Sequence, residues 1–110
     1  MPAVYEVAFT QDASRDVIAT ESYLAQSEGD NRALDFLERL AEVIVSLSRF
    51  PERGSHPKEL AELEIAGCRQ IVWGWYRLIY RVQHSQVIIY LIADGRRDMT
   101  TLLAQRLLGA

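Results

Sequence analysis

Two hydrophobic periods alternate along the chain and divide it into elements. Tyr5-Glu6-Val7-Ala8-Phe9 has the length and alternation of a first strand. Thr10 then offers a helix N-cap, and Asp12 sits in the first turn, where the helix dipole favours a carboxylate. Ala13, Val17, Thr20 and Leu24 fall on one helical face; Ser27 to Asn31 breaks the pattern, with Gly29 in the C-cap region. The second helix has the clearest pattern. Asp30 or Asn31 can cap it, and Ala33, Phe36, Leu37, Leu40, Ala41, Ile44 and Leu47 follow the i, i+3, i+4, i+7 rule of a buried stripe. Arg32, Asp35, Glu38, Arg39 and Glu42 make up its charged face. Pro51 disfavours helix at the preceding residue, so the helix ends near Phe50.

Residues 51–67 read as a loop, with Pro51, Gly54, Pro57 and Gly67 as its punctuation. Three strands are predicted next. Cys68 to Trp73 is the first, and Gly74 turns the chain. From Trp75 to Val82 the pattern alternates: Tyr76, Leu78, Tyr80 and Val82 point one way, Arg77, Ile79 and Arg81 the other. After a polar turn at 83–86, Val87 to Ala93 is continuously apolar, as in a strand covered on both faces. Asp98 or Thr100 caps a last short helix that runs through Leu108. The fold class is α+β: an N-terminal strand and a helical hairpin packed on a small, mainly antiparallel sheet, then a short C-terminal helix. The hairpin's apolar stripe must cover one sheet face, which leaves Arg77 and Arg81 on the other.

Length and composition narrow the function. The chain has 110 residues, enough for a single domain over 1–110 and a modest core. The N-terminal residues lack a basic start and an apolar run, and no segment approaches a membrane span, so a cytoplasmic protein without membrane contact is expected. Cys68 is the single cysteine, which excludes an intrachain disulfide and a cysteine-based metal site. The net charge of −3 argues against bulk nucleic-acid binding. Its distribution is uneven: residues 1–65 carry 13 acids and 6 bases, whereas residues 66–110 carry 2 acids and 6 bases. Those six bases are Arg69, Arg77, Arg81, Arg96, Arg97 and Arg106, all suited to forked contacts with carboxylate or phosphate, and because four of them cluster on strands or at a strand end they predict a basic face.

The order of several short motifs resembles one known family. Phe9-Thr10 with Ala13, the hairpin ending in Phe50-Pro51 with Gly54, and Lys58-Glu59-Leu60 come first. Arg69-Gln70-Ile71 and Tyr76-Arg77-Leu78-Ile79-Tyr80-Arg81 follow as paired strands. Ile92-Ala93-Asp94-Gly95-Arg96-Arg97-Asp98-Met99, then Leu102-Leu103 and Arg106-Leu107-Leu108, is the most specific piece. From about Phe9 onward the chain resembles the RelE/ParE superfamily of type II toxins, and the Gly-Arg-Arg-Asp run with Leu102-Leu103 is similar to its ParE branch. The resemblance implies a toxin that inhibits DNA gyrase, carries out no chemistry of its own, needs no cofactor or metal, and is silenced by a cognate antitoxin. It implies no sequence-specific DNA binding by this chain alone.

The alternative within the superfamily is a RelE-like, ribosome-dependent mRNA endoribonuclease. Cleavage by 2′-hydroxyl attack needs a base, cations at the phosphorane and an acid for the leaving oxygen. Arg77 and Arg97 match arginines of the nuclease branch and would be its catalytic residues here. The strand before Arg77 lacks lysine, and Leu103 stands where the resemblance puts an aromatic acid/base. His56 lies in the loop and His84 in a hairpin turn, so neither fills the gap. A third reading is a non-toxic relic that only binds its antitoxin.

In every reading, Arg69, Arg77, Arg81, Arg96, Arg97 and Arg106 are the candidate partner- or target-binding residues. Arg77 and Arg81 have an equally weighted structural alternative, pairing with Glu59, Asp94 or another acid across the sheet. Trp73, Trp75 and Tyr76 read as cross-strand packing, unless one tryptophan is exposed and serves as an interface anchor. Glu6, Asp12, Asp16 and Glu21 read as solvated charges.

Overall fold

The computed structural model describes residues 4–109. The elements are β1 (Glu6–Phe9), α1 (Gln11–Glu28), α2 (Asp30–Arg49), α3 (Glu59–Glu62), β2 (Cys68–Trp73), β3 (Tyr76–Gln83), β4 (Gln86–Asp94) and α4 (Met99–Leu108). The four strands form one sheet in the order β1-β4-β3-β2. The two hairpins β2–β3 and β3–β4 are antiparallel, as their short links require, while β1 runs parallel to β4. The expected α+β architecture is therefore present, with one parallel pair in a mixed sheet.

Local chemistry explains where the helices begin and end. The Thr10 hydroxyl accepts from Ala13 N at 3.1 Å and starts α1. Gly29, at φ +98°, both ends α1 and begins α2, a backbone setting that a side chain would strain. The Asp98 carboxylate accepts from Thr101 N at 3.1 Å and from the Thr101 hydroxyl at 2.7 Å, so Asp98 is the cap of α4. Gly109, in the left-handed region, closes that helix.

The sheet carries a core on each face. Phe36, Leu40 and Leu47 of α2 pack with Leu24 of α1 and with Leu78, Tyr80, Val87 and Ile89 of the sheet. On the other face Leu60 of α3 and Met99 and Leu103 of α4 cover Ile79, Leu91 and Ala93. The pairing register slips at Ile79/Tyr80, leaving Tyr90 as the extra residue of a bulge in β4. The bulge changes the parity of β4. Val87 and Ile89 before it and Ile92 after it all meet the helical hairpin, whereas Leu91 and Ala93 face α4.

Four expectations change. The N-cap of α2 is Gly29, not Asp30 or Asn31, and no side chain caps that end. The second sheet face is not an open arginine surface: α3 and α4 lie over it. The loop at 51–67 contains the one-turn α3, too short to show a helical period. On α2, Leu37 and Ala41 are exposed instead of buried. The apolar arc of α2 is wider than the core can cover: Ala33, Phe36, Leu40, Val43 and Leu47 are enough to fill it.

Candidate functional site

The candidate arginines are sorted by what they touch. Arg77, on β3, sends its guanidinium under α3. Its Nη1 and Nη2 donate to the two Glu59 oxygens at 2.7 and 2.8 Å, and Nε and Nη2 donate to Gln70 Oε1 at 2.9 and 2.6 Å. Both side chains of the pair are only 13% exposed. Hydrogen bonding from Arg77 lowers the Glu59 carboxyl from its ordinary 4.5 to about 2. Four hydrogen bonds thus hold the Arg77 guanidinium inside the protein, leaving one of its five N–H donors over. Of the two alternatives open in the sequence, the ion pair with Glu59 is the one observed.

Arg106, on α4, closes a second internal pair. Its two terminal nitrogens donate to the two Asp16 oxygens, each at 2.6 Å, and Nη1 also donates to Tyr90 O at 3.1 Å. Asp16 also accepts from Ile92 N at 3.1 Å, at the point where β4 recovers from its bulge. Asp16 is therefore not a solvated helix charge but a partly buried tie between α1, β4 and α4. The sequence carried a signal for this: Asp16 occupies the i+3 slot of the Ala13 face, where an apolar residue belongs.

Arg69 donates to Glu52 O and Gly54 O at 3.1 and 2.9 Å and fixes the loop that follows α2. Gly54 packs so closely that a Cβ there would lie 2.6 Å from Gln70 O and from Tyr80 Oη, and its N–H donates to that hydroxyl at 3.0 Å. Burial pushes the Tyr80 phenol above its ordinary range. Arg81 lies over the Tyr90 ring, 5.6 Å from its centroid.

The Asp94–Asp98 turn is built differently. Gly95 N donates to Trp75 O at 2.6 Å, tying this turn to the tip of the β2–β3 hairpin. A Cβ on Gly95 would lie 2.6 Å from Arg77 Cδ, so glycine is needed above the clamped arginine stem. Arg96 is held by Asp94 through Nε and Nη2, at 2.9 and 2.5 Å, and its guanidinium lies 4.2 Å from the Trp75 ring centroid. The hydrogen bond from Arg96 holds the Asp94 carboxyl below the usual carboxylate range. Trp75 is 60% exposed, whereas Trp73 and Tyr76 pack against Phe36. Arg97 is exposed and, among the described residues, makes no ion pair with a carboxylate. It lines an open cleft with Asp16, Thr20, Tyr23, Tyr76 and Asp94.

The structure therefore separates the six arginines. Arg69, Arg77 and Arg106 are spent on the fold, Arg81 covers an aromatic ring, and Arg96 and Arg97 face outward at one corner. Arg77 and Arg97 line different environments, and Leu103 is fully buried in the α4 core. His56 Nδ1 is hydrogen-bonded with Cys68 O at 3.0 Å, and His84 sits in its turn at φ +57°. Among the described residues no group of three or more His, Cys, Asp or Glu side chains is assembled to hold a metal ion. No described helix is long and apolar enough to cross a membrane. Sequence reasoning missed Tyr23, which is 65% exposed beside Arg97 on the polar side of α1, where nothing in the spacing marks it.

Comparison with known proteins gives a consistent family. Among solved structures, the chromosomal ParDE toxin–antitoxin system from P. aeruginosa contains a chain with a TM-score of 0.67 and 18% identity, covering 83% of this chain and 96% of that one. At that identity the likeness is one of fold. The toxin–antitoxin complex RelBE2 from Mycobacterium tuberculosis contains a chain with a TM-score of 0.59 and 27% identity, covering 86% of this chain and 94% of that one. No curated protein sequence matches. Residues 7–99 match the family described as the ParE toxin of the type II toxin–antitoxin system parDE, so the chain belongs to the ParE toxin family of type II toxin–antitoxin systems.

Proposed function

We propose that the chain is a ParE-type toxin of the cytoplasm that inhibits DNA gyrase and is neutralised by its cognate antitoxin. Beyond the family match, the observation that carries this reading is the state of the groups a nuclease would use. Arg77 is locked to Glu59 and Gln70, and Leu103, at the acid/base position of the nuclease branch, lies in the core. Arginine is in any case a poor proton shuttle, because it stays charged. Inhibition by binding asks for none of that chemistry.

An antitoxin would gain most by covering the exposed apolar row of α2. Leu34 and Val45 are 55% and 58% exposed, with Leu37 and Ala41 between them on the same side of the helix. Such a row suits an amphipathic helix laid alongside it. The protein bound this way is stabilised by mass action, so co-expression raises soluble yield.

The ribosome-dependent nuclease remains the second reading, supported by the free Arg97 and by the likeness to the RelBE2 toxin–antitoxin complex. Expression in cells without the antitoxin separates the two. Gyrase inhibition gives filamentous cells with an induced DNA-damage response and intact messages. New 5′ ends inside codons of translated messages, without DNA damage, would establish the nuclease and refute the gyrase reading.

A further inference from the structure

The corner formed by the β2–β3 hairpin tip and the β4–α4 turn combines three features that folding alone leaves unexplained. Trp75 is large, apolar and mostly exposed, yet its position is fixed. Trp75 O accepts from Gly95 N, and its ring carries the Arg96 guanidinium, which Asp94 holds from behind. Next to this stack, the cleft between α1 and β4 has a volume of about 330 Å³. Its wall includes Thr20 and the exposed Tyr23, and Arg97 stands at it without a carboxylate partner.

The electrostatics of the turn leave that one cation over. Asp94 is occupied by Arg96, and Asp98 by Thr101 as the cap of α4. Arg106 takes both oxygens of Asp16 at the cleft's far wall. Tryptophan, tyrosine and arginine are also the residues that dominate binding energy at protein interfaces. Here the backbone of the tryptophan is tied to Gly95 and its ring carries Arg96 in the free protein, an order that lowers the entropy cost of binding.

Resting on the gyrase reading above, we propose that this corner is the target-contacting surface, separate from the antitoxin-binding row on α2. Trp75 with its stacked Arg96 is an apolar anchor, and Arg97 receives an aspartate or glutamate of the target protein in the cleft beside Tyr23. The occupant is a protein and not a nucleic acid. A phosphate backbone would meet one free cation flanked by two carboxylates, Asp94 and Asp98, in a chain of net charge −3.

The test measures two properties of Trp75→Ala, Arg97→Glu and the control Arg15→Ala: inhibition of purified gyrase and affinity for the antitoxin. Both target residues are exposed, so retained antitoxin affinity also reports that each variant is folded. The wild type and Arg15→Ala should inhibit equally. Trp75→Ala and Arg97→Glu should need about thirtyfold more protein for the same inhibition, the loss of a hot-spot anchor, with antitoxin affinity within about twofold. Inhibition by both variants at wild-type strength would overturn the assignment while leaving the gyrase reading intact. Loss of antitoxin affinity along with inhibition, in variants that melt at the wild-type temperature, would make the corner part of the antitoxin interface and equally overturn it. Salt-sensitive retention of duplex DNA by the wild type, abolished in Arg97→Glu alone, would assign the corner to nucleic acid instead. Wild-type protein that binds its antitoxin but leaves gyrase untouched would overturn the gyrase reading itself, and the assignment with it.

Discussion

Replacing Glu59 by glutamine keeps the shape of the Arg77 site and removes its charge balance. The wild-type carboxyl titrates at about 2 instead of 4.5. At roughly 1.4 kcal/mol per pH unit, that gap corresponds to about 3 kcal/mol. Water at the rim of the pair screens part of it, so about 2 kcal/mol is the working figure for the folded protein. Glutamine can accept one of the two Arg77 bonds, but its amide nitrogen faces the other donor. For a domain of this size, the loss should lower the melting temperature by about 10 °C at pH 7. The pH dependence gives an independent check. The Glu59 pKa is depressed on folding, so its stabilisation is complete above pH 4.5 and is lost as the pH falls through about 2. Thermal melts of wild type and Glu59→Gln at pH 7, 4.5, 3 and 2.5 should therefore converge as the pH drops. A variant that melts with the wild type at pH 7, or a difference that persists unchanged to pH 2.5, would refute the structural role assigned to the pair.

Three further outcomes follow from the same geometry. Gly95→Ala puts a methyl group 2.6 Å from the Arg77 stem, which Glu59 and Gln70 hold in place; a loss of about 1–3 kcal/mol should appear as a lower urea midpoint. Asp16→Ala deprives Arg106 of its carboxylate and leaves Ile92 N–H without an acceptor, so about 2–3 kcal/mol of stability should be lost in the same assay. Leu37→Asp, at an exposed position, should change stability by less than about 0.5 kcal/mol, yet weaken antitoxin binding more than about tenfold by calorimetry.

Much of the fold was legible because it is locally encoded. The Thr10 and Asp98 caps, the Gly29 joint, the Pro51 stop and the alternation of β3 each rest on a few adjacent residues, and each is found as expected. What was not legible depends on partners distant in sequence. The parallel pairing of β1 with β4 joins residues about eighty positions apart, and Asp16 meets Arg106 across ninety. Composition marks a solvated carboxylate and a buried one in the same way until the opposing element is placed. The same limit applied to the arginines. Their clustering in residues 66–110 suggested one basic face, yet half of that charge closes internal pairs or ties a loop, because the sheet has helices on both faces. Leu37 and Ala41 mislead in the opposite direction: periodicity detects an apolar arc, and only the packed hairpin shows which part of it remains uncovered.

The most direct test is plasmid supercoiling by purified gyrase, with the protein added alone and then together with its cognate antitoxin. Inhibition or trapped cleavage complexes are expected with the protein alone, reversed when the antitoxin is present. Normal supercoiling in the presence of excess folded toxin would contradict the gyrase reading.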